Sequence, residues 1–343
     1  MTPDSLPLVS IVVPVFNGEK YLRESLDSIV NQTYPRTQVL VMDDASTDGT
    51  ATVVAGYGDR VTYYRQPENK GQFGNVNDGI ARADGEYIAV FHADDVYLPS
   101  IVEREVAFLQ RHRDTGAVFC LDIFIDALGR EYGKLSIPAE VRGGCPLEYH
   151  VILNALLKYK NVFLVGPSAM VRAAVYRDVG VYRGEEFRIA SDLEMWARIA
   201  RKYPIGILEE HLFRYRHGHG NSTQGYYHLR TEPERYFRIM DLHLEEGARS
   251  LATAEALAGF EAHRAEDRLM LAVNHYIRDE RAQSRAILGD VRAKRIMASR
   301  RIQRGRMLIL LALLEILVRL PRIPLFANQF YRHWFTSKYE KLR

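Results

Sequence analysis

Two adjacent aspartates follow the second apolar run of the chain and could bind a nucleoside. The run Val39–Met42 precedes Asp43 and Asp44, and one of the two carboxylates must face a cleft if the run is a strand. A carboxylate there can accept the ring N–H of uracil, thymine or guanine, while Phe16, after an earlier apolar run, covers the face of the base. We expect Asp44 to be the ligand.

A second acidic group, His92-Ala93-Asp94-Asp95, follows the apolar run Tyr87–Phe91. Oxygen ligands suit Mg²⁺ or Mn²⁺, and Mg²⁺ typically engages one or two carboxylates together with substrate phosphates. A divalent ion at this place could neutralise the charge that develops on a leaving nucleotide. An Asp-Asp pair after a strand is also common in turns and caps, so the spacing alone leaves both interpretations open.

Two later segments add a carboxylate and a group of cations. Asp192 stands at the start of an amphipathic helical pattern, where it either interacts with the helix dipole or meets a substrate. A Gly-containing segment combines two guanidinium groups with two imidazoles, and this composition suits a diphosphate or a metal ion. Its members are Arg214, Arg216, His217 and His219.

The elements that must position these side chains are predicted by apolar runs that alternate with helical patterns. The runs that predict buried strands are Val9–Val15, Val39–Met42, Val61–Tyr64, Tyr87–Phe91 and Val118–Ile125. Helices fill the gaps, and Asn17 can cap the first of them. The alternation implies right-handed βαβ units and a mostly parallel sheet, in which ligands bind beyond the carboxyl ends of the strands.

After residue 125 the alternation ends and a turn-rich stretch leads to short predicted strands at Ile205–Leu208 and Leu212–Arg216. From about Tyr226 onward helical patterns dominate. We therefore predict an α/β domain over residues 1–225, with a nucleotide-binding half to about 125 and an acceptor half after it. Residues 226–343 are predicted to form a helical C-terminal region.

Composition and charge limit the class of protein. With 47% hydrophobic and 26% charged residues, the 343-residue chain is not collagenous, of low complexity or wholly disordered. Residues 281–343 hold fifteen Lys or Arg against three Asp or Glu, a net charge of +12, while the rest of the chain carries 31 against 40, or −9. Such asymmetry indicates a basic surface for an anionic partner, either a membrane face or nucleic acid.

The cysteines and the N-terminal segment predict the cellular compartment in which the protein acts. Cys120 and Cys145 are too few for a disulfide framework, and the apolar run Val9–Val15 is too short for a secretory signal. We expect the chain to act inside the cell.

Six short motifs occur along the chain in a recognisable order. They are Ser10-Ile11-Val12-Val13-Pro14-Val15-Phe16-Asn17-Gly18, Gln32-Thr33-Tyr34-Pro35, Asp43-Asp44-Ala45-Ser46-Thr47-Asp48, Asn69-Lys70-Gly71, Ala93-Asp94-Asp95 and Ser191-Asp192-Leu193-Glu194-Met195-Trp196. Together they resemble the family 2 glycosyltransferases, inverting enzymes of the GT-A fold that use nucleotide-diphospho sugars. The resemblance covers roughly residues 8–222 and leaves the C-terminal third outside it.

The resemblance assigns roles to the donor-binding residues. It implies a nucleotide-sugar site made of Pro14, Phe16, Asn17, Asp44, Lys70, His92 and Asp94. The family's DxD motif falls on His92-Ala93-Asp94, where His92 replaces the first acid, so Asp94 is the expected metal ligand and Asp95 its alternative.

The resemblance also implies a general base and further ligands. Asp192 matches the base, and either His217 or His219 matches a loop histidine that we count among the metal ligands. Many relatives have Ala-Arg where this chain has Asn75-Val76, so a diphosphate contact is either missing here or supplied by Arg214 or Arg216.

The activity implied is inverting transfer of a sugar from a UDP-, dTDP- or GDP-linked donor to a glycan or lipid-linked acceptor, with Mn²⁺ or Mg²⁺. Cell-surface polysaccharide or glycolipid synthesis is the expected setting.

Three other interpretations of the sequence compete with this one. A sugar-nucleotide pyrophosphorylase is the alternative enzyme, but a Gly-rich phosphate loop is missing after the first strand. A catalytically degenerate scaffold is the non-enzymatic alternative, favoured only by His92. A dehydrogenase would need Gly-x-Gly-x-x-Gly where the chain reads Pro14–Glu19.

An apolar segment near the C-terminus, Met307–Leu320, follows the cations Arg300, Arg301, Arg304 and Arg306. Its fourteen residues are too few to cross a bilayer, which needs about 20. We predict a peripheral contact through residues 300–335, with the helix lying in the cytoplasmic membrane interface. The expected anchors are Phe326, Phe330, Tyr331, Trp334 and Phe335.

Alternatively, the helix packs as core on the catalytic domain or on a second copy in a homo-oligomer. Nucleic acid is not an expected partner.

Overall fold

Nine strands form one sheet in the part of the chain that the computed structural model describes, residues 5–218, 230–291 and 301–320. The strands are β1 (Val9–Val15), β2 (Thr37–Asp43), β3 (Thr62–Arg65), β4 (Tyr87–Val90), β5 (Val96–Tyr97), β6 (Ala117–Ile125), β7 (Glu131–Lys134), β8 (Met170–Arg172) and β9 (Ile205–Arg216). Their order is β3-β2-β1-β4-β8-β6-β9-β5, with β7 paired to β6. Strands β1–β4, β6 and β9 run in one direction, whereas β5, β7 and β8 oppose them. The predicted mostly parallel α/β sheet is therefore confirmed.

Helices cover both faces of this sheet. In chain order, the helices up to residue 200 are α1 (Leu22–Val30), α2 (Thr50–Ala55), α3 (Gly71–Ala81), α4 (Ile101–Arg111), α5 (Tyr149–Tyr159), α6 (Ala173–Val179), α7 (Gly184–Phe187) and α8 (Ser191–Ala200). Val9, Ile11 and Val13 of β1 share one apolar cluster with α1 and α4. Val12 faces α3, where a Cβ on Gly79 would come within 2.4 Å of its side chain. Because β1 is covered on both faces, it is a continuous apolar run.

The register of the parallel strands brings their carboxyl ends to one edge of the sheet. Val15 of β1 pairs with Asp43 of β2, and Val12 pairs with Val90 of β4. The residues that follow these strands therefore emerge together. Strand β8 is antiparallel to β4, so the turn that precedes β8 lies at this same edge. Both halves of the sheet therefore contribute residues to the edge.

The predicted strands at 205–208 and 212–216 are one strand, β9. Its pairing with β6 shifts register after Cys120, so that Cys120 lies opposite Leu208 and Leu121 opposite His211. Glu209 and Glu210 lie in this bulge, between the two apolar segments that we predicted as separate strands. The bulged strand keeps the chain in the sheet up to Arg216.

A second compact unit consists of residues 153–160 and 220–343, and the first of residues 1–152 and 161–219. The second unit contains α9 (Arg235–Glu245), α10 (Ala254–Ile277), α11 (Arg281–Gly289) and α12 (Arg301–Leu317). The Tyr236 hydroxyl donates to Leu156 O at 2.8 Å, which ties the end of α5 to this unit. The boundary predicted near residue 225 lies outside the described residues.

Helix α12 packs one face against α10 and α11, with Leu310, Leu314 and Leu317 in their shared core. Part of the apolar run that we predicted to enter a membrane is thus the core of its own unit. None of the described helices is long and apolar enough to span a bilayer. The predicted aromatic anchors beyond residue 320, together with Arg300, lie outside the described residues.

Candidate active site

The residues predicted to bind a nucleoside lie where β1 and β2 end. Phe16 follows β1 and is 52% exposed, an unusual place for a large apolar ring. Asp44 follows β2, is buried, and its Oδ1 accepts a hydrogen bond from the Lys70 N–H at 2.7 Å. Pro14 is half-buried in β1. An exposed ring and a carboxylate at one sheet edge can hold a planar base by stacking and hydrogen bonding.

Asp43, the neighbour of Asp44, has a structural role. It is fully buried, its Oδ1 accepts from the Ser46 N–H at 2.8 Å, and its Oδ2 accepts from the Tyr63 hydroxyl. Burial, followed by the hydrogen bond to Asp43, raises the pKa of Tyr63, so this hydroxyl stays protonated and donates. Asp43 therefore fixes the loop that presents Asp44.

The two loops after β1 and β2 are locked together by hydrogen bonds. Asn17 N donates to Ser46 Oγ at 2.9 Å, and Asn17 Oδ1 accepts from the Thr47 N–H at 2.8 Å. Asn17 and Ala45 both have left-handed backbones, with φ values of 52° and 62°, a conformation that costs a residue with a Cβ on the order of 1 kcal/mol. Asn17 does not cap α1 as predicted, because its side chain is used in this link.

The segment after β4 gathers three potential metal ligands. His92, Asp94 and Asp95 each offer one ligand atom, and these atoms lie within 4.8 Å of one another. Burial lowers the pKa of His92, although Asp94 acts in the opposite direction, and a neutral imidazole is the form that binds metals. The histidine that breaks the acidic motif thus belongs to the cluster.

Asp95 has a buried oxygen that fits the role of a metal ligand. The carboxylate is fully buried, its Oδ1 accepts from the Arg216 N–H at 2.8 Å, and its Oδ2 has no hydrogen-bond partner among the described residues. Burial and the charge of Asp94 raise the pKa of Asp95 well above its ordinary range. A buried carboxylate oxygen without a partner is costly, and a bound divalent cation would remove that cost. The donor set of one imidazole and two carboxylates fits Mn²⁺ in particular.

Arg216, at the end of β9, holds this acidic segment in place. Its Nε donates to Asp94 O at 2.8 Å, its Nη2 lies 2.6 Å from Glu24 Oε2, and its guanidinium stacks on the Tyr21 ring. The side chain is 2% exposed. In this structure Arg216 is a positioning residue, and its predicted contact with a diphosphate stays a prediction.

Asp192 lies in the first turn of α8, close to the turn that precedes β8. Its Oδ1 accepts from the Leu193 N–H at 2.6 Å, and a Cβ on Gly166 would lie 3.4 Å from its Oδ2. Burial raises the pKa of Asp192 to about 6. A carboxylate with such a pKa is largely ionised at neutral pH yet holds a proton more strongly than an ordinary aspartate, as a general base should.

Comparisons with known proteins identify the family. The model for "Glycosyl transferase family 2" matches residues 10–180. A Bacillus subtilis protein named as a glycosyltransferase, EpsE, is 30% identical over 219 residues, which are 62% of this chain and 74% of EpsE. This chain belongs to glycosyltransferase family 2. A glycosyltransferase of Rickettsia felis is matched over only 34% of its own length, so this chain corresponds to only part of that relative.

Solved structures show the same fold. S. aureus TarS in complex with UDP-GlcNAc superposes with a TM-score of 0.61 at 20% identity, over 95% of this chain and 91% of that one. The mannosyltransferase PcManGT from Pyrobaculum calidifontis, in complex with GDP-Man and Mn²⁺, gives a TM-score of 0.54 at 19% identity, over 92% and 82% of the two chains. The glycosyltransferase thus has the expected GT-A fold with a helical C-terminal region.

Asp122 is a buried carboxylate that the sequence did not single out as a candidate site residue. Asp122 lies in β6, is 2% exposed, and its Oδ1 is buried without a hydrogen-bond partner among the described residues. Burial raises the pKa of Asp122 to about 6. The pKa of Tyr215 is raised by burial first and then by Asp95, Asp94, Asp192 and Asp122. Each of these four carboxylates therefore acts electrostatically on one tyrosine. A polar residue inside the apolar run Val118–Ile125 was the available signal.

Two further predicted residues, Arg214 and His217, lie at the C-terminal end of β9. Arg214 Nε is 2.9 Å from Glu131 Oε1 in a partly exposed ion pair. His217 Nδ1 is 2.5 Å from the Tyr132 hydroxyl, and its ring stacks on Phe124. His217 is not a member of the cluster formed by His92, Asp94 and Asp95. His219 lies outside the described residues.

Proposed function

We propose that this glycosyltransferase transfers a sugar, with inversion, from a nucleotide diphosphate donor to a hydroxyl of a glycan or lipid-linked acceptor. The observation that carries the proposal is the position of Asp192 beside Gly166 in the turn before β8, at the sheet edge where β4 ends and the acidic segment of Asp94 and Asp95 follows. A general base and a place for a diphosphate are the two sites that such a displacement needs. The nucleotide sugars bound to TarS and PcManGT support the same class of donor.

In the proposed reaction Asp192 removes the proton from the acceptor hydroxyl while that oxygen attacks the anomeric carbon. The bond between that carbon and the diphosphate oxygen breaks, and the nucleoside diphosphate leaves with the bonding electrons from the opposite face. Asp192 holds the proton afterwards. A single displacement inverts the anomeric centre, so an α-linked donor yields a β-linkage.

His92, Asp94 and Asp95 are the residues proposed to hold Mn²⁺ or Mg²⁺. When bound there, the cation would supply charge neutralisation for the leaving diphosphate. Arg216 keeps the segment in place through the Asp94 carbonyl and, with its own N–H, through the Asp95 carboxylate. Lys70 is also proposed to contribute to the donor site. Its Nζ forms an ion pair with Asp78 Oδ2 at 2.6 Å.

A panel of UDP-, dTDP- and GDP-linked sugars with Mn²⁺ tests the proposed function. We expect one donor to be hydrolysed slowly to its nucleoside diphosphate, and NMR of the acceptor product to show an inverted anomeric centre. A pyrophosphorylase would instead release a nucleoside triphosphate when given pyrophosphate. A bound ligand raises the melting temperature of a protein, so an unchanged melting temperature with every nucleotide and Mn²⁺ would favour a catalytically inactive scaffold protein.

Asp44→Asn should raise the donor KM about 10- to 100-fold, because the amide would place an N–H against the ring N–H of the base. The amide oxygen can still accept from the Lys70 N–H, so the loop should keep its shape. Initial rates against donor concentration measure the effect.

Asp43→Asn is the matched control for this prediction. Because Asp43 is the fully buried partner of Ser46 and Tyr63, its replacement should lower the melting temperature. An unchanged KM in Asp44→Asn, together with a raised KM in a stable Asp43→Asn protein, would show that the wrong aspartate was assigned to the base.

A further inference from the structure

Helix α12 has a second apolar face that the described residues of its own unit leave uncovered. Leu310, Leu314 and Leu317 are buried against α10 and α11, but Ile309 is 70% exposed and Ile316 is 56% exposed. Large aliphatic side chains of this exposure, repeated along one helix, are uncommon on a surface that only meets water.

The exposed residues form a continuous stripe, which we call the outer stripe: Ile309, Leu313 and Ile316 of α12, with Leu320 in the turn that follows. Their spacings are four, three and four residues, so neighbouring members lie side by side. At 3.6 residues per turn, the three helical members fall within about 60° of the helix circumference. Side chains so aligned can enter an apolar layer together.

Arginines flank the outer stripe at both ends. Arg306 precedes Ile309 by three residues and is exposed, and Arg319 follows Ile316 by three and is 59% exposed. Arg319 lies 4.0 Å from Glu315, a partly exposed pair at the limit of contact, which leaves the guanidinium accessible. The surrounding segment, residues 281–343, has a net charge of +12.

We propose that the outer stripe docks the protein on the surface of an anionic phospholipid bilayer. The helix would lie parallel to the surface, with the aliphatic side chains among the upper acyl chains and Arg306 and Arg319 on lipid phosphates. This surface lies in the second unit and does not depend on the proposed transfer reaction.

Charge favours lipid over a second copy of the chain as the occupant. In a parallel pair of these helices Arg306 would face Arg306, and in an antiparallel pair it would face Arg319. Paired helices normally place opposite charges beside an apolar seam. An anionic surface complements both arginines at once.

Flotation of the full chain with vesicles tests the proposal. We expect the protein to float with vesicles containing phosphatidylglycerol and to stay unbound with phosphatidylcholine alone, and we expect added salt to weaken binding. Ile309→Ser with Ile316→Ser should weaken partition at least about tenfold, from the usual gain on burying an aliphatic side chain. Arg306→Glu should weaken it about fivefold or more.

Two matched variants control for changes that are not specific to the outer stripe. Leu251→Ser removes another exposed leucine of the same unit, and Arg249→Glu reverses another exposed arginine; both should float as the wild type does. All variants should keep the wild-type melting temperature, because the side chains are exposed. A wild-type protein that does not float at low salt would overturn the proposal. So would equal flotation of the Ile309 and Ile316 double variant, or a dimer without vesicles that this variant dissociates.

Discussion

Asp192→Asn should lower kcat by about 10²- to 10⁴-fold, the usual contribution of a general base, while donor affinity stays near that of the wild type. The amide keeps the size of the side chain and can still accept from the Leu193 N–H, but it cannot take a proton. Single-turnover transfer and nucleotide titration measure the two quantities. A near-normal kcat would leave Asp192 with a structural role only. Glu194 could not replace it, because it is buried in an ion pair with Arg198 at 2.8 Å.

The pH dependence of kcat/KM provides a second test of Asp192. Because the base must be ionised and its pKa is about 6, kcat/KM should fall as pH drops through that value and level off above it. Asp122 is the necessary control, since its pKa is also about 6. We expect Asp122→Asn to retain the acidic limb and Asp192→Asn to lose it. The reverse result would assign the base to Asp122.

Asp94→Ala should lower turnover about 10³-fold or more, since a bound divalent cation contributes several kcal/mol of charge stabilisation. Calorimetric titration with Mn²⁺ and a nucleoside diphosphate should show the matching loss of metal affinity. Asp59→Ala removes an exposed carboxylate near the start of β3, at the opposite edge of the sheet, and should change neither quantity. Full activity of the wild-type enzyme in EDTA would contradict the assignment.

His92 allows a sharper version of the metal experiment. His92→Asp replaces the imidazole by a third carboxylate, and oxygen-only sites suit Mg²⁺ better than mixed sites do. We expect the ratio of activities with Mg²⁺ and Mn²⁺ to rise in this variant. Asp95→Asn should also weaken Mn²⁺ binding, while its side-chain oxygen can still accept from the Arg216 N–H. If His92→Asp and His92→Ala bind both ions as the wild type does, His92 is not a ligand.

Local pattern predicted β1 to β4 and β6 in the donor half of the molecule, but neither the short strand β5 nor the position of Asp122. Val9–Val15 was predicted to its end residues, and the end of β2 at Asp43 was predicted to within one residue, because buried parallel strands are continuous apolar runs with a sharp polar end. The placement of Asp44, His92 and Asp94 at one edge followed from the rule that parallel strands end together. Their roles rest on that placement and remain to be measured.

What the sequence by itself determined was the fold class, the family and the short list of reactive side chains, since each depends on residues close together in the chain. The tertiary structure decided which of those side chains meet. Asp122 lies opposite Phe213, two positions from Tyr215, only because β6 pairs with β9, and Arg216 reaches Asp94 and Asp95 from 121 or more positions along the chain. Likewise, the apolar run after residue 306 contains too many aliphatic residues to show which face is core. Only the packing of α12 on α10 and α11 separates the buried leucines from the exposed isoleucines, because burial depends on neighbours that are distant in sequence.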